Sequence, residues 1–118
     1  MEWKPVFYAD SDGVEPVKDF ILSQSDGAIA EILHVLKLLH LFNVTLEMPY
    51  SRKITENIRE LRVHHGSDYF RILYSAIPGQ YFLLLHGITK KTDKLSDRDI
   101  ALAEKRLADY VARRDMAK

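Results

Sequence analysis

The chain has 118 residues, of which 47% are hydrophobic and 29% charged, and it contains no cysteine. This composition excludes a disulfide framework and a thiolate metal site, argues against intrinsic disorder, and suits one domain. The formal net charge is zero, but residues 1–50 carry −5, residues 51–94 carry +4 and residues 95–118 carry +1. The total can therefore conceal a basic surface, so both a polyanionic partner and a chance drift of charge stay open.

The N-terminal residues lack the basic, apolar and small-residue segments of a signal peptide. The most apolar run, residues 28–42, is short for a bilayer span and is interrupted by polar residues. The absence of cysteine fits a reducing compartment. We therefore expect a cytoplasmic protein with a single domain over residues 1–118, whose last residues, 113–118, are frayed.

The first half of the chain predicts one strand and two helices. The segment WKPVFYA is typical of a strand, in which Pro5 favours an edge position or a late strand start. A short helix is predicted over residues 15–24, with Pro16 in its first turn. A longer helix is predicted over residues 28–42, with Asn43 as a left-handed C-cap. This helix has more apolar residues than one core stripe needs, so the excess is either buried in the domain or covered by a partner or loop.

The second half predicts three strands and one helix. The strands cover about residues 57–64, 69–77 and 80–87 and follow a basic connector, and Ser96 caps a C-terminal helix. The element order is then β-α-α-β-β-β-α, which is an α+β fold class.

Two tight turns are expected to set the register of these strands. A two-residue turn at Gly66-Ser67 places Arg62 opposite Arg71, and a second one at Pro78-Gly79 places Arg71 opposite His86. The three side chains would then form one row on a sheet face that lacks a clear apolar cover. Two opposed arginines are unfavourable unless an anion or a carboxylate lies between them.

Alternation sorts the strand residues into two faces. The face predicted to be covered by helices holds Leu61, Val63, Phe70, Ile72, Tyr74, Tyr81, Leu83 and Leu85. The opposite face holds Glu60, Arg62, His64, Tyr69, Arg71 and His86, with Leu73, Phe82 and Leu84 among them. Each polar residue taken singly has an ordinary structural interpretation, such as an Arg62–Glu60 pair or a solvated histidine beside a turn.

Five segments combine into a family pattern: DGVEPVKDFI, IRELR, YFRILY, FLLLHGITKKTDK and IALAEKRLADY, spread over roughly residues 6–112. Together they resemble the RelE/ParE toxin superfamily, in particular its HigB-like, phage-derived branch. The resemblance implies a compact RelE-like fold, with a small antiparallel sheet that has helices on one face and a basic concave surface on the other. It also implies a ribosome-dependent messenger RNA endoribonuclease and a helix-turn-helix, HigA-like antitoxin, in a homodimer or a toxin–antitoxin heterotetramer.

The expected reaction is metal-independent and needs no cofactor, because RNA supplies its own nucleophile in the 2′-hydroxyl. Arg62 matches the arginine of ELR and Arg71 that of the YR strand, and both are assigned to the phosphate. His86 is the first choice for general acid or base, and Glu60 is the alternative base. The predicted RNA-binding residues are Lys90, Lys91, Lys94, Tyr69, Arg52 and Lys53.

Two other functions fit the same sequence. A ParE-like member would poison DNA gyrase without cleaving RNA, and a degenerate member would only bind its antitoxin. Transcript-end mapping and gyrase supercoiling assays separate these alternatives.

Overall fold

The computed structural model describes residues 3–78, 81–90 and 94–117. Within these ranges the chain forms a five-stranded sheet and three α-helices, so the predicted α+β class is confirmed. The strands are β1 (Lys4–Phe7), β2 (Ser51–Lys53), β3 (Arg59–His65), β4 (Asp68–Ile77) and β5 (Tyr81–Lys90). The helices are α1 (Pro16–Leu22), α2 (Asp26–Phe42) and α3 (Asp97–Met116).

The sheet has the order β1-β5-β4-β3-β2. Strand β1 pairs with β5 in parallel, whereas the other pairs are antiparallel, so the sheet is mixed rather than wholly antiparallel as expected. Pro5 lies in an edge strand, as predicted. Strand β2 was missed because its three residues are too few to show an alternating pattern.

The three helices cover both faces of the sheet, so the expectation of helices on one face is wrong. Helices α1 and α2 share a core with Leu61 and Ile72, on one side of the sheet. Ala103 of α3 shares a second core with Leu73 and Leu85, on the other side. Apolar residues on both faces of the central strands require this second cover.

The turn between β3 and β4 has the predicted register. Gly66 has a φ of +62°, and His64 lies opposite Tyr69. Arg62 consequently lies opposite Arg71, which confirms the pairing of two arginines across the strands.

The register between β4 and β5 differs from the prediction. Three residues, 78–80, separate these strands instead of two, and residues 79 and 80 of the predicted Pro78-Gly79 turn region lie outside the described residues. A further irregularity follows beside Leu73, so His86 lies opposite Leu73 and Arg71 lies opposite Ile88. The predicted Arg71–His86 pair is therefore wrong.

The one-residue shift moves residues 81–85 of β5 to the face opposite the predicted one, whereas His86, beyond the irregularity, keeps its predicted face. Phe82 and Leu84 belong to the core under α1 and α2, although they were predicted on the open face. Leu83 and Leu85 belong to the core under α3.

The helix ends follow local sequence signals. Pro16 begins α1, and the Ser96 hydroxyl accepts a hydrogen bond from the Asp99 amide at the start of α3. Asn43 ends α2 with a φ of +44° but a ψ of −125°, so it is not the predicted left-handed cap. Helix α3 continues to Met116, where the sequence predicted fraying from residue 113.

Helix α2 is more apolar than its buried face requires. Ile32 and Leu39 are fully buried, whereas Leu33 and Leu41 are more than half exposed. Residues 26–45 are long enough to cross a membrane and have a mean hydropathy of 1.4, so they meet both criteria for a membrane span. The sequence-based expectation of no span rested on the shorter run, residues 28–42. Core helices of globular proteins meet the same two criteria, and one face of α2 packs on the sheet.

Candidate nucleic-acid interface

One face of β3, β4 and β5 carries three rungs of paired residues, which we call the polar face. The rungs are Glu60–Leu73–His86, Arg62–Arg71–Ile88 and His64–Tyr69–Lys90. These residues alternate along each strand, so their side chains point to the same side. His86 lies one diagonal step from Arg71, and such neighbours are about 7–8 Å apart in sheets. The predicted row is thus displaced by one rung, while its members remain near each other.

Glu60 lies at the centre of an arginine cluster. Its Oε1 atom is 2.8 Å from Arg52 Nε and 3.8 Å from Arg62 Nε. Its Oε2 atom is 3.3 Å from Arg71 Nε, an ion pair without the alignment of a hydrogen bond. The side chains of Glu60 and Arg71 are 0% and 2% exposed. The carboxylate predicted to separate the opposed arginines is therefore in place, but it is shielded from solvent.

His86 is engaged with the first half of α3. Its Nε2 atom is 2.9 Å from Asp99 Oδ1, and its Nδ1 atom is 3.4 Å from Arg106 Nη1. Burial favours a higher pKa for the Asp99 carboxyl, but hydrogen bonds from Ser96 and His86 and the charge of Lys90 outweigh it and hold that pKa below 3.8. His86 thus connects β5 to α3, with both ring nitrogens in contact with that helix.

His64 and Tyr69 form an exposed aromatic pair beside the arginines. Their rings are stacked, with centroids 4.6 Å apart and planes 15° from parallel. The Arg71 guanidinium carbon is 5.7 Å from the centre of the Tyr69 ring. The sequence offers an ordinary interpretation of His64 as a solvated histidine beside a turn, yet strand alternation already places it on the same face as Tyr69 and the arginines.

Of the predicted RNA-binding cations in the strands, Arg52 and Lys90 lie on the polar face. Lys53 instead pairs with Arg59 and points to the other side of the sheet. At the β2 end, Arg52 contacts the buried carboxylate and Lys53 is exposed. At the β5 end, Lys90 is 3.5 Å from an Asp99 oxygen, and Lys94 is exposed. Lys91 lies outside the described residues.

A cleft of about 530 Å³ opens at the edge of β3, next to the polar face. Its lining includes Glu31 and His34 of α2, Met48 and Tyr50 of the loop before β2, and Arg62, His64, Tyr69 and Arg71 of the strands. The Arg62 amide donates to the Tyr50 carbonyl over 2.8 Å, which holds the loop against β3. Across residues 3–78, 81–90 and 94–117, no three His, Asp or Glu side chains gather as a metal site.

Comparison with known proteins identifies the family. Residues 19–108 match the sequence model of the family described as "Phage derived protein Gp49-like (DUF891)". No individual curated protein matches the chain. The matched segment begins in α1 and ends in α3, so it includes every rung of the polar face. The chain therefore belongs to the phage-derived Gp49-like family, which is a family of RelE/HigB-type toxins.

Proposed function

We propose that this protein is the toxin of a type II toxin–antitoxin module, of the HigB-like branch, and that it acts as a messenger RNA endoribonuclease in the cytoplasm. Family membership supports the toxin assignment. The observation that carries the nuclease assignment is the rung of opposed arginines, Arg62 and Arg71, beside the exposed pair His64 and Tyr69.

The arginine cluster suits a phosphate that gains negative charge. Three guanidinium groups lie around the single carboxylate of Glu60, which leaves these four side chains with a charge of +2. Fixed cations in a poorly solvated site stabilise such developing charge more than water does. Arg62 is 19% exposed and is assigned to contact the phosphate, whereas Arg71 is almost fully buried and adds its charge from behind.

The reaction is a transfer within the RNA itself. The 2′-oxygen attacks the adjacent phosphorus while a base takes its proton, and the bond to the 5′-oxygen breaks as an acid protonates that oxygen. The products are a 2′,3′-cyclic phosphate and a 5′-hydroxyl. Imidazole is the side chain that most often performs such proton transfers.

We assign the proton transfer to His64 rather than to His86. Both ring nitrogens of His86 contact α3, whereas His64 is exposed on the rung next to the arginines. Stacking on Tyr69 holds the His64 ring in place. Glu60 is not assigned as the base, because a fully buried carboxylate among arginines cannot reach a ribose hydroxyl.

The remaining cations are assigned to the RNA backbone. Lys90 extends the polar face at one end, with Lys94 in a pocket beside it, and Arg52 extends it at the other. Lys53 is the exception, because its side chain lies on the opposite side of the sheet. Lys91 keeps the same role through its match to the KKT turn. The ribosome would supply the orientation of the messenger that a protein of this size does not provide alone.

Transcript-end mapping in a purified translation system tests the nuclease. We expect the wild type to cut messenger RNA, and Arg62→Ala to lower the rate at least tenfold because it removes a phosphate contact. His64→Gln should lower it by about 10²-fold, the lower range for general acid–base groups. The matched variant His86→Gln should keep most of the rate and lose stability instead. Intact transcripts at a dose that stops translation would overturn the nuclease proposal.

Arg71→Ala is a poor probe of catalysis, although the sequence assigns Arg71 to the phosphate. This substitution removes the guanidinium that lies 3.3 Å from the buried Glu60 carboxylate, so it should destabilise the fold. A lower activity of the variant would then partly reflect this loss of stability. Inhibited gyrase supercoiling with intact transcripts would favour the ParE-like alternative.

The partner is proposed to be a helix-turn-helix antitoxin that neutralises the toxin. Growth arrest on expression, relieved by co-expression of an adjacent helix-turn-helix gene, is the expected result. Antitoxin binding without any toxicity would instead indicate a degenerate member.

A further inference from the structure

We propose that the cleft at the edge of β3 binds one unpaired nucleobase of the RNA, with guanine preferred over uracil. This inference rests on the proposed ribonuclease function and adds a base-recognition site to it. Besides strand residues that belong to the polar face, the site uses α2 and the loop before β2, two elements that cleavage of a phosphodiester does not by itself require.

The shape of the cleft suits a flat ring. Its volume of about 530 Å³ lies within the usual range of small-ligand sites, roughly 300–1,000 Å³. The buried side chains of Val35 and Val63 contribute apolar surface to it. The Met48 thioether and the Tyr50 ring also line it, and both side chains are exposed and available for contact. Unpaired bases commonly stack on such aromatic and apolar side chains.

Arg62 joins the cleft to the polar face. It belongs to the arginine rung, and it also lines the cleft. Its Nη1 atom is 3.6 Å from Met48 Sδ, and its amide bonds the Tyr50 carbonyl. A nucleotide whose phosphate meets Arg62 can therefore place its base against Met48 and Tyr50 without spanning a second nucleotide.

Glu31 and His34 supply polar groups for the edge of the base. They stand three residues apart on α2, so they project from the same side of the helix, and both are exposed in the cleft. A carboxylate accepts hydrogen bonds at two oxygens. Guanine presents two adjacent donors, N1–H and the N2 amino group, on its Watson–Crick edge. Uracil presents one N–H between two carbonyl oxygens, which repel a carboxylate.

Titration of the protein with the four nucleoside 3′-monophosphates, followed by amide NMR shifts, tests the site directly. We expect shifts at Glu31, His34, Tyr50 and His64, with guanosine 3′-monophosphate binding at least fivefold more tightly than the uridine nucleotide. Glu31→Gln should abolish this preference, because the amide loses one acceptor. The control Glu15→Gln changes an acid outside the cleft and should leave the preference intact.

Transcript-end mapping then connects the site to cleavage. Glu31→Gln should reduce guanine enrichment near the cut at least threefold while total cleavage persists. Equal affinity for all four nucleotides, or shifts confined to other surfaces, would overturn the base site and leave the nuclease untouched. Absence of cleavage by the wild type would overturn the proposed function, and the nucleotide titration would still decide whether the cleft binds a base.

Discussion

Replacing Glu60 with Gln keeps the size of the side chain and removes the charge on which three arginines converge. The pair with Arg71 is buried on both sides, at 0% and 2% exposure. Breaking a buried ion pair by removing one partner costs about 3–5 kcal/mol, because an uncompensated charge stays away from water. Arg52 and Arg62 are partly exposed, and each adds about 0–1 kcal/mol at most.

The expected loss of unfolding free energy is therefore about 3–7 kcal/mol, a large share of the ~5–15 kcal/mol that folded domains possess. Guanidinium chloride or urea unfolding, followed by circular dichroism at pH 7, measures it. The matched variant Glu56→Gln removes a carboxylate whose side chain is 87% exposed, and it should change stability by less than about 0.5 kcal/mol.

A double substitution separates lost charge from lost packing. Glu60→Leu with Arg71→Met replaces both buried charges with apolar groups, and such exchanges are often neutral or stabilising. We expect the double variant to be more stable than Glu60→Gln alone. A loss below about 1 kcal/mol in Glu60→Gln would refute the reasoning, since it would mean that the arginines do not depend on this carboxylate.

Two further predictions concern the elements that position the polar face. Gly87→Ala would place a Cβ atom 2.7 Å from Phe20 Cγ, so overpacking should lower the free energy of unfolding by about 1–3 kcal/mol in thermal or chemical unfolding. If the stability effects of Gly87→Ala and Phe20→Ala were additive in a double-mutant cycle, that result would contradict this contact. Because the Asp99 pKa is held below 3.8, its stabilisation is present above that pH and is lost as pH falls through the folded-state pKa. The stability gap between wild type and Asp99→Asn should therefore narrow as the pH falls below about 5, and a gap independent of pH down to the acid transition would count against an ionised Asp99.

Local signals determined several features that the structure confirms. Gly66 accepts a positive φ, and a two-residue loop allows one register, so the opposition of Arg62 and Arg71 follows from a short stretch of chain. The Ser96 cap is also local, because its hydroxyl accepts a hydrogen bond from an amide three residues on. The edge position of Pro5 is local too, because proline has no backbone N–H to donate to a neighbouring strand.

The role of His86 needed the tertiary structure. Its partners Asp99 and Arg106 are 13 and 20 residues away and come from a helix whose position on the sheet no local pattern defines. The apolar residues Leu73 and Leu85 are compatible with either face of the sheet in the sequence, and the packing of α3 decides which face they occupy. Sequence reasoning therefore placed a titratable ring near the arginines but could not tell that both its nitrogens were engaged.

The sequence by itself determined the types of the helices and strands other than the short β2, the turn after β3 and the arginine rung, because each depends on contacts within a few residues. Only the tertiary structure decided the register of β5, the cover on both sheet faces and the cleft that Arg62 shares with α2. The physical reason is that side chains alternate along a strand, so one extra residue in the 78–80 connection moves residues 81–85 of β5 to the opposite face. The irregularity beside Leu73 then returns His86 to its predicted face. The packing of distant helices then selects which arrangement buries the apolar residues.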